Sequence, residues 1–258
     1  MPLSVLVCVK RVPATGGRIV LTEDAQEIDT RHLGFTVSPH EECAVEEAVR
    51  IVEAHGGTST VLTLGPAAAE EQLRDAMAIG IERAVLLETD GSDWDPQATA
   101  DAIVDAIEAD RAAGRPHDLF LFGNEAADSG DFQVAIRVAA AFGLPCATGI
   151  KAIEIRDGVA TVKRDTGDGW EVFELPLPAV VAVREGINLP RYPSVPGRLR
   201  ARKREIERVS PARRPGGLRK MRLRLPVERE SEVEIIGTGP DAAPRVVEIL
   251  ARIGLLPS

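Results

Sequence analysis

Aromatic side chains are scarce: six Phe, two Trp and one Tyr make up 3% of 258 residues. Any core must therefore be aliphatic, drawn from Val, Ile, Leu and Ala within the 44% of residues that are apolar. Cysteine is scarce too. Cys8, Cys43 and Cys146 are scattered, which excludes a disulfide framework, shows no metal-ligand spacing and suits a reducing compartment. Each reads as a small core residue. No apolar run reaches the ~18 residues of a membrane span. Met1-Pro2-Leu3-Ser4 leads straight into an apolar run without the basic start or cleavage site of a signal peptide. The expectation is a cytoplasmic protein that is not membrane-embedded. Also missing are a GxGxxG after the first apolar run and a GxxxxGK[ST] anywhere, which disfavours an ordinary dinucleotide fold and a phosphate-transferring P-loop.

Charge is present but unevenly spread. The chain carries −9 overall, yet residues 198–224 hold twelve Lys and Arg against two Glu, a local +10 that leaves −19 on the rest. A basic arm on an acidic body suggests an interaction segment. The arm has no aromatic residue for base stacking and is broken by Pro and Gly. Protein–protein contact is therefore the expectation, and nucleic acid is not.

The chain is organised around Asp118–Pro145. Leu119-Phe120-Leu121-Phe122 reads as a buried strand that breaks at Gly123. A polar loop, Asn124–Gly130, follows. Val134, Ile136, Val138, Ala139, Ala141 and Phe142 then give a helix that ends at Gly143 with Pro145 beyond. Asp131 is a candidate N-cap, and Asp128 a candidate to hold the loop or meet a ribose hydroxyl. Strand, glycine, polar loop, helix is how an α/β sheet builds an anion site, because loop N–H groups and the positive helix end converge at the strand's carboxyl end. The loop reads either as a solvated turn or as a ligand loop. The small residues Ala126, Ala127, Ser129 and Gly130 leave room for a ligand.

Around that stretch the elements alternate. Leu3–Val9 is apolar on both faces, as a central parallel strand must be. From 14 to 39 the pattern is weak, with Arg18–Thr22 and Glu27–Asp29 offering a short hairpin or a wandering loop. Ser38 is a candidate N-cap for a helix with Pro39 at its first position and acids in its first turn. Cys43, Val45, Ala48, Ile51 and Val52 form its inward stripe. Thr58–Leu64 is a strand, 67–79 a helix, Ala84–Leu87 a strand and 96–109 a helix. Residues 3–145 thus read β-α-β-α-β-α-β-α, a parallel sheet with helices on both faces. Its ligand loops follow Val9, Leu64 and Phe122. From Gly149 the pattern changes to alternating strands, 151–155, 159–164 and 170–175, with the hairpin signal Asp157-Gly158. Pro178–Val183 returns as a core strand. Residues 184–226 lack a core-forming period and suggest a segment that wraps another protein. A last helix, 241–253, turns Val246, Val247, Ile249, Leu250 and Ile253 to one face.

The fold class expected is α/β: a doubly wound, mostly parallel, Rossmann-like sheet with an antiparallel hairpin insert and an extended C-terminal arm. The domain boundaries expected are 1–183 for a nucleotide-binding domain, with the insert at 151–175, and 184–258 for a recognition loop, basic arm and C-terminal helix packed on a partner.

Six pieces carry a family resemblance: VLVCVKRVP (5–13), SPHEECAVEEAVR (38–50), LGPAAAEEQLRDAMAIGIERAV (64–85), LFGNEAADSGDFQ (121–133), VKRDTGDGWEVFELPLPAVVAV (162–183) and INLPRYPSVPGRLRARKREIE (187–207). In that order they resemble the β subunit of electron transfer flavoproteins. The resemblance implies an α subunit that supplies most of an FAD site, and an AMP buried under the loops after the first, second and fourth strands. By position, Cys8, Ser38, Pro39, His40, Glu41, Leu64, Gly123, Asn124, Ala126, Asp128, Gly130, Asp131, Phe132, Gln133 and Val134 would surround the nucleotide, largely through backbone. It also implies a loop that docks flavin dehydrogenases, marked by Asn188, Pro190, Tyr192, Val195 and Pro196. Val195 stands at the family's apolar anchor, with Arg200 and Lys203 in the basic follow-on.

The function implied is an electron carrier rather than an enzyme, taking electrons from dehydrogenases such as acyl-CoA dehydrogenases to a membrane electron transfer flavoprotein–quinone oxidoreductase. No metal and no catalytic residue is expected. The chain departs from common relatives at Ala14-Thr15-Gly16, at His40, which either approaches the flavin or is a solvated first-turn residue, and at Ser129-Gly130-Asp131-Phe132. Arg164 and Asp165 read equally as a surface pair or an α-subunit contact. The alternatives are a bifurcating flavoprotein subunit with a second FAD in place of AMP, or a stand-alone nucleotide-binding protein or enzyme. The enzyme reading lacks a phosphate motif and a base, and the stand-alone reading leaves the arm unexplained.

Overall fold

β1, Leu3–Val9, is apolar at every position but Ser4 because it is covered on both sides. In the computed structural model, which describes residues 2–14, 16, 19–226 and 234–256, its residues alternate between two cores. Val5, Val7 and Val9 join one cluster, and Leu6 and Cys8 the other. Short strands β2 (Val12–Pro13) and β3 (Phe35–Thr36) pair antiparallel just beyond. Between them a single antiparallel bridge joins Leu21 to Ile28, which favours the hairpin of the two alternatives, hairpin or wandering loop; Arg18, its first residue, and Thr15 lie outside the described residues.

The chain then alternates as expected: α1 (Pro39–His55), β4 (Gly57–Gly65), a 3-10 turn (Ala67–Ala69), α2 (Glu70–Ile79), β5 (Arg83–Glu88), α3 (Pro96–Ala112), β6 (Leu119–Gly123) and α4 (Val134–Phe142). It continues with β7 (Cys146–Arg156), β8 (Val159–Asp165), β9 (Trp170–Pro176), β10 (Ala179–Val183), α5 (Val195–Lys203) and β11 (Glu207–Val209). Among the described residues the main sheet has nine strands in the order β11-β5-β4-β1-β6-β10-β7-β8-β9. It is parallel except where β8 and β9 run antiparallel. The fold is the α/β, Rossmann-like class expected. One core packs Val45, Ala48, Leu73 and Met77 of α1 and α2 onto the sheet, and the other packs Ile103, Ile107 and Val138 of α3 and α4 onto the opposite face.

The antiparallel region expected over 151–175 is continuous with the parallel sheet. β7 starts at Cys146 by pairing parallel with β10, passes an irregularity in register and then pairs with β8, so one strand belongs to both regions. Ala160, Val162 and Leu175 join the main core. Residues 1–223 form one compact unit, which runs past the expected boundary at Val183.

The first part of the arm folds back on the chain's own sheet. α5 lies against α2, and β11 pairs with β5. No apolar period announced this because the anchoring is mostly polar. Arg74 donates to the carbonyls of Ala201 (2.6 Å) and Arg204 (3.2 Å), and Arg204 donates to that of Glu82 (2.7 Å). Ala201 and Ile206 are the buried apolar contacts. Gly197 completes the seat, as a Cβ there would come 2.3 Å from the Ala78 carbonyl oxygen.

Residues 224–258 form a second unit, in which a 3-10 turn (Pro240–Ala242) leads into α6 (Ala243–Arg252) with Val246 and Val247 exposed. Among the described residues no helix is long and apolar enough to cross a membrane.

Candidate functional site

Strand order reverses direction at β1. The chain moves from β1 to β4 and β5 on one side, then returns to place β6 on the other. Ligands of such sheets sit outside the carboxyl ends at that reversal.

The first turn of α1 stands over the end of β1. Ser38 caps it, its Oγ accepting from the Glu41 N–H (3.4 Å), while Glu41 Oε2 accepts from the Ser38 N–H (3.1 Å), a reciprocal capping box. Glu41 Oε1 also accepts from the Lys10 N–H (3.0 Å), tying the helix start to the end of β1. Burial pushes the Glu41 carboxyl up to about 7, against the opposing pull of these N–H donors. Gly123 is required by this packing, because a Cβ would lie 2.6 Å from Glu41 Cγ. Burial likewise pushes the Cys8 thiol far above its usual range, with the Glu41 charge adding, so Cys8 is inert core.

Beyond Gly123 the loop closes on itself. The Ala126 N–H donates to the Asp131 carbonyl (3.2 Å) and the Gly130 N–H to that of Ala126 (2.7 Å). Asn124 staples three strands, its N–H on the Val183 carbonyl (2.8 Å) and its Oδ1 accepting from the Gly149 N–H (2.7 Å). Asp128 pairs with Lys10 (2.8 Å). The expectation that Asp131 caps α4 is corrected. Gln133 is the cap residue, and Asp131 instead accepts from the Gln133 N–H (2.8 Å) in a local turn. The Gln133 side chain is drawn along α4 to Arg137 (2.9 Å). The start of α4 at Val134 therefore has no side-chain cap and no acidic residue in its first turn, and the Asp131 carboxylate lies on the Gln133 N–H just ahead of it. Phe132 is 51% exposed beside it.

His40 bridges this loop to the end of β10. Its Nδ1 accepts from the Glu185 N–H (2.7 Å), which places the ring proton on Nε2, 3.2 Å from Glu125 Oε1. Pro39 is exposed, and Leu64 is half-buried at the end of β4.

The fold thus brings Cys8, Leu64, Gly123 and the 124–134 loop together at the carboxyl ends. Ser38 and Glu41 lie behind them with their polar atoms engaged internally. Most side-chain polar groups of this region are satisfied within the protein. Lys10, which pairs with Asp128 of this loop, and Glu125 of the loop itself, which meets His40, were not singled out from the sequence; a Lys directly after the first strand was the available signal. A shallow cavity bounded by Leu3, His55, Ile155, Asp157 and Gly158 opens at the opposite, amino ends, away from every expected site residue.

The second group of expected residues lies on the far flank of α1. Asn188 Nδ2 donates to the Cys43 carbonyl (2.9 Å) and to Glu47 (2.9 Å). Pro190 is half-buried; Tyr192 and Val195 are 95% and 72% exposed, and Leu189 is 84% exposed between them. Ser194 caps α5 through the Gly197 N–H (3.1 Å), with Val195 and Pro196 at its start. Arg200 and Lys203 are exposed on α5. Arg191, unmarked in the sequence, anchors this loop to Glu46 (2.9 Å) and Glu53 (2.6 Å). On the hairpin, Arg164 pairs with Glu171 (2.6 Å) and Asp165 lies 3.8 Å from Lys151.

Comparison with known proteins adds an independent finding. Residues 27–213 match the model of the electron transfer flavoprotein domain. The chain is 35% identical to the electron transfer flavoprotein subunit beta of Bacillus subtilis over 80% of its own length and 79% of that protein's. It is 33% identical to the subunit of the same name from Syntrophomonas wolfei, over 91% of this chain and 90% of that one. It is also 34% identical to that of Mycobacterium tuberculosis H37Rv, over 79% and 77%.

Proposed function

Because the chain belongs to the electron transfer flavoprotein family, as a β subunit, we propose that it pairs with an α subunit to hold one FAD. The pair carries electrons in the cytoplasm from flavin dehydrogenases, such as acyl-CoA dehydrogenases, to a membrane electron transfer flavoprotein–quinone oxidoreductase. FAD supplies the redox chemistry when bound. This chain binds, orients and shields, and none of its side chains serves as a general acid or base. The nucleotide site holds AMP in a structural role.

The observation that carries the reading is the start of α4, which no side chain caps, beside the closed 124–133 loop at the carboxyl ends of β1 and β6. Such a helix end favours a phosphate. The Ala126–Gly130 backbone and the half-buried Leu64 offer an apolar and peptide lining to a purine, while Ser38 and Glu41 hold the wall behind it. Phe132 flanks the proposed phosphate. Exposed Tyr192 and Val195, with Arg200 and Lys203 alongside, suit a protein surface that pairs an apolar recess with carboxylates.

The test is acid extraction of the co-expressed heterodimer followed by chromatography of the released nucleotides. One FAD and one AMP per heterodimer is the expected result. Two FAD and no AMP identifies the bifurcating arrangement, and no adenine nucleotide besides FAD overturns the AMP assignment.

A further inference from the structure

The docking loop is not a free strand of chain; it is pinned along one stripe of α1. Cys43, Glu46, Glu47, Arg50 and Glu53 follow one another at helical spacing on that stripe. Asn188 bonds the Cys43 carbonyl and Glu47, and Arg50 Nη2 reaches the Leu189 carbonyl (3.4 Å). Arg191 makes the densest contact. Its Nε donates to Glu46 Oε2 (2.9 Å), its Nη2 to Glu46 Oε1 (3.0 Å) and Glu53 Oε2 (2.9 Å), and its Nη1 to Glu53 Oε1 (2.6 Å). Even its backbone N–H reaches Glu46 Oε2 (3.1 Å).

The Glu46 side chain is 2% exposed, an acid buried on a helix whose other inward residues, Glu41 apart, are apolar. Burial pushes its carboxyl up, but the hydrogen bonds from Arg191 and Arg50 outweigh that and hold it below the usual range. A buried, multiply bonded carboxylate facing a forked guanidinium fixes direction as well as distance. This rigidity ends where the apolar display begins: Leu189, Tyr192 and Val195 flank the clamp and stand in solvent. Ordering a loop before association removes that cost from the binding step.

We propose that Arg191, forked onto Glu46 and Glu53 of α1, is the positioning residue that pre-orders residues 188–195, so that Leu189, Tyr192 and Val195 meet a partner protein as one fixed surface. The partner is one with an apolar recess rimmed by carboxylates, complementary to Arg200, Arg202 and Lys203 on the adjoining helix. This rests on the reading that the loop docks the dehydrogenase.

The experiment compares four variants of the intact heterodimer, Arg191→Ala, Arg191→Lys, Glu53→Ala and Val195→Ala. Each is assayed for amide hydrogen exchange over 187–196 and for KM and kcat with the heterodimer as the dehydrogenase's electron acceptor. Arg191→Ala is expected to speed exchange in the loop and raise KM about tenfold with kcat within about twofold, flavin content unchanged. Arg191→Lys, which cannot fork, falls between. Glu53→Ala, which leaves the buried Glu46 paired, shifts both readouts the same way by less and stands in should Arg191→Ala fail to assemble. Val195→Ala raises KM with exchange unchanged. If Val195→Ala raises KM while Arg191→Ala and Glu53→Ala alter neither exchange nor KM, the docking reading stands and the clamp is refuted. If Val195→Ala leaves KM unchanged, the docking reading itself fails, and the proposal with it.

Discussion

The arm has two halves that read alike as sequence and behave differently as structure. Both are rich in Lys and Arg and interrupted by Pro and Gly. In the second half, residues 204–223, cations meet this chain's own acids and carbonyls. Arg208 pairs with Glu88 (2.8 Å) and Glu70, Arg214 with Asp105 (2.8 Å) and Lys220 with Asp93, while Arg213 reaches the Asp93 carbonyl (2.6 Å). In the first half, Arg200, Arg202 and Lys203 stand exposed and make no ion pair with any described residue, and their neighbours Val195 and Leu199 are exposed too. A basic run is therefore not one signal. Where acids lie opposite it is a strap, and where apolar side chains and unpaired cations share a face it is a candidate docking surface.

The sharpest way to separate the halves is through α1, which carries only the first. Glu41 holds the start of that helix, and its carboxyl is raised from 4.5 to about 7 in the folded protein. Between those values the folded state keeps a proton that the unfolded chain releases. The contribution is thus fully present below about 4.5 and lost as pH rises through about 7. Relative to Glu41→Gln, which does not titrate, the wild type is expected to lose about 3 kcal/mol between pH 4.5 and 8, measured by denaturant unfolding. A difference that does not change with pH would show that Glu41 is not buried as described.

Next in size is the seat of α5. Gly197→Ala forces a methyl group onto the Ala78 carbonyl and is expected to cost about 2 kcal/mol, read as a lower unfolding midpoint. Unchanged stability would mean that α5 does not rest on α2. Converting Arg200, Arg202 and Lys203 together to Gln should leave stability alone but slow association with an acidic partner about tenfold at low ionic strength. It should also flatten the salt dependence measured by stopped flow. Smallest of all, Arg208→Ala removes exposed pairs and should shift neither the unfolding midpoint nor partner association. If Arg208→Ala weakened association as much as the α5 triple variant, the division of the arm would be wrong.

Much of the fold was legible because buried parallel strands write themselves as unbroken apolar runs. Leu3–Val9 and Leu119–Phe122 could hardly be anything else, and Ser38-Pro39 with Glu41 announced the start of α1. The arm was not legible because hydrophobic periodicity cannot see a guanidinium bound to a carbonyl, as Arg74 is to Ala201, nor a glycine pressed on a helix backbone. The split role of β7 was hidden for another reason: parallel and antiparallel pairing share one period. At the site, position along the chain located the loops but not the direction of each side chain. Glu41 turned inward to cap its own helix, Asp131 turned to Gln133, and Arg191, lying between two residues marked as docking contacts, proved to be the one that holds the loop.

The central claim is that this chain is half of a two-chain flavin container. Native mass spectrometry of the chain expressed alone and together with an α subunit tests it most directly. The account predicts a one-to-one complex carrying FAD only in co-expression, and a flavin-free chain when expressed alone. A single chain that retains a full equivalent of FAD by itself would contradict it.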